Sequence, residues 1–468
     1  MSLTESTGPV AEYGEKVVAV EPGGIEPVGD AERHGKPLQL LWTWASPNLE
    51  FATIYVGVLA VAVFGLDFWQ AVLAVVIGNG LGSLTQAILS ARGPDHGVPQ
   101  MVLGRIAFGF KGNAFPALLM SLMAGVGWFA VNSVSGAFAL STLTGLPALL
   151  CLVIVVGIQV VIAFFGHNLV QAYEKYIFPV LAVVFAITAV VIFTKASPGS
   201  VGGTGGTGGF LLSVGAAFGY TAGWNPYAAD YTRYLPRSTS KRAIGLSAGL
   251  GLFLSTSILM LVGVASATIG KPGLDNPTAA FTSYLPSALA SATLLAIALG
   301  SVAADVLNIY SGALAVLTLG IRLPLAWRRA VVAVVYGAIG FVLAWLSLDD
   351  AGSAYENFLL VVSYWVAPWL AVILVDQYLR RGTQAQVGPL LADTRHGNWA
   401  GFWAFTIGLA VSVGLFANQA LYTAPVPKAV PEVGDLTFLV GFVLSALIYF
   451  FLKRPSLNRE RATPGSGG

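Results

Sequence analysis

GYTAGWNPYAADYTRYLP, residues 219–236, decides how the rest of the chain is read. The run leading into it is apolar enough for a membrane-spanning helix, yet Gly223-Trp224-Asn225-Pro226 interrupts that helix midway. Pro226 removes a backbone donor and disfavours the helical conformation at Asn225. In hydrocarbon, freed backbone groups persist only where protein or a watery cavity satisfies them. A break that presents a tryptophan face and an asparagine amide at that depth reads as a binding site, with a plain proline kink as the alternative.

The apolar character extends along the whole chain. Its 468 residues are 56% hydrophobic and 10% charged, with a mean hydropathy of +0.76. A soluble domain carries roughly 25% charged residues. Stretches near the roughly 20 residues that cross a bilayer recur throughout. Twelve are expected, at 39–65, 68–90, 113–140, 147–166, 169–194, 208–231, 243–269, 288–319, 326–348, 355–377, 399–420 and 434–452. The fold class is therefore an all-α polytopic membrane protein with twelve transmembrane helices. Basic residues orient it. With both termini inside, every Lys and Arg falls in an inside tail or loop except Lys195, Lys271 and Lys428 in outside loops and Lys175 at a helix end. The positive-inside rule then expects a multi-pass protein of the plasma (inner) membrane with cytoplasmic N- and C-termini.

The first span has its own interruption, at Ser46-Pro47-Asn48. Broken helices that open two successive five-helix blocks are the mark of an inverted-repeat transporter. The expected organisation is a disordered cytoplasmic tail (1–37), a first repeat (38–195), a second repeat (206–381), two further helices (398–452) and a short tail (453–468). GGTGGTGG at 202–209 reads as a flexible outside connector. Residues 276–286 are too short to span and read as a helix capping the outer face.

Half-helix ends at the bilayer midplane offer free N–H and C=O groups, so the break residues Ser46, Asn48, Trp224 and Asn225 are candidate substrate contacts. In the third span Trp128 and Asn132 stand four apart, which puts an aromatic face and an amide on one side of a helix. That amide matches the donor–acceptor edge of a lactam or amidine. Helix packing explains the same stretch equally well, through Gly125, Gly127, Ser133, Ser135 and Gly136. The eighth span holds Asp305 and Asn308. Asp305, and Glu50 just beyond the first break, are intramembrane acids and so functional candidates, with a paired packing role as the alternative. Glu174 and Lys175 read as interfacial anchors, and Asp230 and Arg233 as a pair or a helix cap.

Other function classes find little support. The four histidines (His34, His96, His167, His396) lie in tails or loops without HExxH spacing, and the chain has neither a GxSxG element nor a GxxxxGK[ST] loop. No enzymatic chemistry, metal or cofactor is expected beyond a coupling ion. The net charge of +2 suggests no nucleic acid, and the single cysteine, Cys151, excludes an intramolecular disulfide.

GWNPYAADYTRYLP (223–236) closely resembles the purine–cytosine permeases of the nucleobase–cation symporter family. So do GNGLGSLTQAILSARGPDHGVPQMVLGRIAFGFKGN (78–113), GHNLVQAYEKYIFPVLAV (166–183) and ENFLLVVSYWVAPWLAVILVDQYLRR (356–381), and the likeness covers about residues 39–452. It implies a LeuT-like fold, two five-helix inverted repeats plus two helices, and proton- or sodium-coupled uptake of cytosine or purines across the bilayer. By the same resemblance Trp128 stacks on the base, with Asn132 one turn later. Trp224 is the sixth-helix aromatic, and Asn308 bonds the base edge. Asp305 stands where relatives often show Asn, and Glu50 where small or hydroxyl residues are usual. The hydroxyls that help bind sodium in sodium-coupled relatives fall at Ala303 and Ala304, with Ser301 close by. Glu50 and Asp305 are thus the expected ion-coupling pair. Two carboxylates in one low-dielectric pocket cannot both ionise cheaply, which suits uptake and release of a proton. The expected function is a proton-coupled nucleobase importer. A sodium-coupled importer of a related heterocycle (hydantoin, allantoin, a vitamin precursor) and a passive channel are the alternatives.

Overall fold

The computed structural model describes residues 24–165, 167–270, 276–320, 328–348, 351–381, 387–419 and 422–462. Among these there is no strand beyond two isolated bridges, Gly109 with Gly397 and Asn418 with Thr423. Helices lie on each of the twelve expected stretches. Nine of them are long and apolar enough to cross a membrane, or ten if the bent first pair counts as one span. The sixth, Gly206–Ala222, and the ninth, Arg328–Leu346, stand outside that count.

Local chemistry sets several edges. Asp67 and Gln70 form a reciprocal cap at the start of Phe68–Ser90, with Gln70 N donating to Asp67 Oδ1 at 2.9 Å and Asp67 N to Gln70 Oε1 at 3.2 Å. Outward faces carry large apolar side chains such as Leu84, Val161, Val183 and Leu254, as lipid contact requires.

The first span is two helices, Gln39–Ala45 with a 3-10 turn Ser46–Asn48, then Phe51–Ala62, bent by 59°. The backbone opens at Leu49 and Glu50, where Glu50 is fully extended (φ −150°, ψ 174°). The sixth span tightens into a 3-10 turn, Asn225–Tyr227, before the short helix Ala228–Thr232. The third span passes through a π-helical turn, Met123–Trp128, between Ala114–Leu122 and Phe129–Thr144. Such wider turns gather at functional sites.

The broken first and sixth spans meet through Trp44 and Trp224, and the third meets the eighth, Ser287–Thr318, through Asn132 and Asp305. First with sixth and third with eighth are the pairs that a two-fold inverted repeat relates. The first and seventh spans cross in backbone contact. A Cβ on Gly57 would stand 1.8 Å from the Met260 carbonyl oxygen, and one on Gly263 1.8 Å from that of Ile54. We expect Gly57→Ala to force these helices apart and cost about 1–3 kcal/mol or more, read as loss of the monodisperse peak in size-exclusion chromatography. A parent-like peak would show that the crossing can open.

Three expectations on organisation change. Residues 1–23 lie outside the described residues, but 24–37 are not a disordered tail. Val28 N donates to Gly97 O at 2.9 Å, His34 N to Tyr234 O at 2.7 Å, and buried Arg33 donates to Pro94 O at 2.5 Å. Asp30 pairs with Arg237 at 2.8 Å, and Arg233 donates to Gly24 O at 2.8 Å. Long-range backbone pairing orders a segment that has no apolar periodicity of its own. The glycine run is likewise no loose connector. Gly206–Gly209 opens the sixth helix, and Cβ atoms at Gly205 and Gly209 would meet the Phe64 carbonyl oxygen at 1.9 and 2.1 Å. At the other end, the final helix Thr437–Ala462 runs on into what was expected to be tail. The outer capping helix is present at Pro277–Thr282.

Candidate substrate and coupling site

The two breaks are tied to each other by side chains. Asn48 Nδ2 donates to Trp44 O at 2.6 Å, and Trp224 Nε1 donates to Asn48 Oδ1 at 3.0 Å. Trp44 meets Trp224 edge-on, with centroids 5.9 Å apart, and Trp224 lies 5.0 Å from Tyr227. From Tyr227 the chain of contacts enters the eighth helix. Its hydroxyl donates to Asn308 Oδ1 at 2.7 Å, and Asn308 Nδ2 donates to Asp305 Oδ1 at 3.1 Å. The third helix closes on the same carboxyl group: Asn132 Nδ2 donates to Asp305 Oδ1 at 2.9 Å, and the Ser133 hydroxyl lies 3.1 Å from Oδ2. Asn48, Asn132, Tyr227, Asp305 and Asn308 are all buried, and Asn132 Oδ1 has no hydrogen-bond partner. An unpaired acceptor at such depth is costly unless something else satisfies it, so this amide edge is suited to receiving a donor.

Glu50 lies on the other side of the first break. Tyr220 donates to its Oε1 at 3.3 Å, Oε2 has no partner, and Asp305 is within its electrostatic reach. Trp128 belongs to this half of the site. Its ring stands edge-on to Tyr220 (5.2 Å), Phe358 (4.9 Å) and Tyr355 (6.3 Å). Trp128 and Trp224 therefore sit in two separate aromatic clusters and make no ring contact with each other. Asn225 Nδ2 donates to the Gly82 and Ala222 carbonyls at 3.3 and 3.0 Å, while its Oδ1 has no hydrogen-bond partner. It holds the break against the second helix and stands apart from the Asp305 cluster.

Sequence reasoning missed several participants. Glu174 is not an interfacial anchor: it is fully buried in His167–Lys195 and faces Ser46, and no hydrogen bond closes onto Ser46 Oγ or either Glu174 oxygen here. Lys175 beside it is exposed. Asp230 and Arg233 act on each other through their charges, but the hydrogen bonds of each go elsewhere. Asp230 Oδ1 accepts from Gln100 N at 2.8 Å, and Arg233 reaches the hydroxyls of Tyr234 and Tyr310 at 2.9 and 3.3 Å. Tyr227 and Gln159 were also unforeseen. Gln159 is the one strongly polar side chain in the helix Ala148–Phe165, and such isolation is a signal that it bonds across to another helix. Among the described residues no group of three or more His, Cys, Asp or Glu is placed to hold a metal ion.

Two broken helices whose breaks meet beside buried amides and acids define the class: a secondary transporter of inverted-repeat architecture. Residues 27–441 match the family described as "Permease for cytosine/purines, uracil, thiamine, allantoin", and the chain belongs to this family of permeases. It is 27% identical to a putative purine-cytosine permease of Bacillus subtilis over 94% of this chain and 97% of that one. It is 30% identical to the purine-cytosine permease fcyB of Emericella nidulans over 93% and 88%. Among solved structures it resembles Mhp1, a nucleobase-cation-symport-1 family transporter, in a closed conformation with bromovinylhydantoin bound. That likeness has a TM-score of 0.73 and 19% identity, over 94% of this chain and 96% of that one. The fold is thus the LeuT-like one.

Proposed function

We propose that this chain is a secondary active importer of a nucleobase, cytosine or a purine, driven by protons. It would lie in the plasma (inner) membrane with twelve crossings and both termini cytoplasmic. The observation that carries the reading is the cluster of Asn132, Asp305 and Asn308 between two interrupted helices, flanked by Trp128 and Trp224. Amides present donors and acceptors to the edge of a planar base, and aromatic rings present faces to stack on it. Membership of the permease family supports the same substrate class. Protons are favoured over sodium by the eighth helix. Ala303 and Ala304 supply no hydroxyl, and Ser301 Oγ donates to its own helix at Ala298 O, 2.8 Å away.

Radiolabelled uptake with competing bases, in cells lacking their own permeases, tests the substrate. Accumulation of cytosine or a purine against its gradient supports the reading, and counterflow separates a carrier from a channel. Uptake confined to a hydantoin or a vitamin precursor would overturn it. We further expect Asn308→Leu to abolish uptake at normal surface expression, because it strips partners from both Tyr227 and Asp305. An unchanged ranking of competing bases in Asn308→Ala would remove this residue from the site.

A further inference from the structure

The hydrogen bonds around Asp305 are one hydrogen short. Its Oδ1 accepts from the amides of Asn132 and Asn308. Its Oδ2 has one neighbour, the Ser133 hydroxyl at 3.1 Å, and that hydroxyl also lies 3.0 Å from Gln159 Oε1. The Gln159 amide cannot be turned round. Its Nε2 donates to the Ser301 main-chain carbonyl at 3.3 Å, and a carbonyl only accepts. Ser133 therefore brings one hydrogen to two acceptors, in a region where all six of these residues are fully or almost fully buried. An acceptor left without a donor there bears its whole desolvation cost. A hydrogen on Oδ2 removes the shortage: Asp305 donates to Ser133, Ser133 donates to Gln159, and Oδ1 remains the acceptor for both amides.

We propose that Asp305 carries a proton on Oδ2 in this conformation, and that Ser133 and Gln159 are the positioning residues that hold it there. The meaning of this for transport rests on the proton-coupled reading above; the hydrogen count does not. Among the described residues, the titratable groups facing Asp305 are Glu50 at the first break and Tyr227 at the sixth, with no basic side chain beside them. Losing the proton would force Ser133 to serve either Asp305 or Gln159. Either choice breaks one link of the chain Asp305–Ser133–Gln159 and leaves a buried acceptor unserved beside the carboxyl group that holds Asn132 and Asn308. The proton and the edge that reads the base are in this way the same network.

Infrared difference spectroscopy of the purified full-length protein in lipid nanodiscs, titrated across pH without substrate or gradient, tests the assignment. The expected result is a carboxylic-acid C=O band at neutral pH that is absent in Asp305→Asn. In Gln159→Leu the Ser133 hydroxyl is free to serve a carboxylate, so this band should vanish at a pH lower by about one unit or more. Ser133→Thr keeps the hydroxyl and should titrate as the parent does. The absence of any Asp305-dependent acid band at neutral pH overturns the proposal. So does a Gln159→Leu protein whose band titrates like the parent. Because the measurement needs neither substrate nor gradient, such a failure leaves the importer reading standing, and the uptake assays decide that separately.

Discussion

Alanine in place of Trp128 is expected to weaken nucleobase binding by about 1–3 kcal/mol, roughly five- to 150-fold in Kd, with the protein still folded. The ring touches Tyr220, Tyr355 and Phe358 only edge-on and makes no hydrogen bond to another helix that truncation would break. Its removal leaves a cavity in the core but breaks no hydrogen bond between helices, so the loss in affinity has to be read on protein that still purifies folded. Trp224→Ala should lose at least as much affinity. Trp224 also donates to Asn48 and packs on Trp44 and Tyr227, so its removal loosens the joint between the two breaks as well. The two variants then differ in a measurable way: both lose buried ring packing and should melt below the parent without ligand, and Trp224→Ala, which also gives up a hydrogen bond across the breaks, should melt lower than Trp128→Ala. Titration calorimetry in detergent with cytosine and adenine reads the binding, and a melting curve reads the stability. If both variants bind like the parent, neither ring stacks on the base.

Much of this arrangement could be read from residue types and spacing. The two interruptions at Ser46-Pro47-Asn48 and Trp224-Asn225-Pro226 identified the helices that meet at the centre, because proline chemistry is local and a broken membrane helix needs a reason. Trp128 and Asn132 shared a helix face by periodicity, and Asp305 and Asn308 stood out as polar groups in an apolar helix. What the pattern could not give was rotation and reach. The opening of the fifth helix, HNLVQAYEKY (167–176), mixes polar and apolar residues beside a lysine, which reads as an interface, yet Glu174 points inward while Lys175 is exposed. The opening of the first span falls at Leu49 and Glu50, beyond the proline, because Pro47 is accommodated at the start of a 3-10 turn. Asn225 has the composition of a ligand contact, yet its Nδ2 is taken by the Gly82 and Ala222 carbonyls and only its Oδ1 is left without a partner. Tyr227 depends on a partner 81 residues away, and the burial of Arg33 on a carbonyl 61 residues away. Local spacing carries no information about such pairs.

Asparagine at position 305 is expected to abolish accumulation while sparing exchange. The amide can reproduce the neutral acid almost atom for atom: its oxygen accepts from Asn132 and Asn308, and its nitrogen donates to Ser133. Substrate should therefore still bind, and counterflow in proteoliposomes should persist within about tenfold of the parent, since no buried partner is left unpaired. A proton that can never leave cannot do work, however. With the coupling group fixed in its loaded form, an imposed pH gradient should no longer raise the internal base concentration above the external one, because coupling requires that the ion discriminate between the two states. Glu50→Gln separates the roles of the two acids. Glu50 has one oxygen on Tyr220 and the other unpartnered, so if the proton passes between the acids, this variant should show the same split between exchange and accumulation. If Glu50 only steadies its own break, accumulation should survive. The parent protein supplies the control for the ion, since a sodium gradient without a pH gradient should give no accumulation. Full gradient-driven uptake by Asp305→Asn would remove Asp305 from coupling whichever ion is used. Uptake by the parent on a sodium gradient alone, with no response to pH, would replace the proton with sodium and leave Asp305 as a group that only orients the amides.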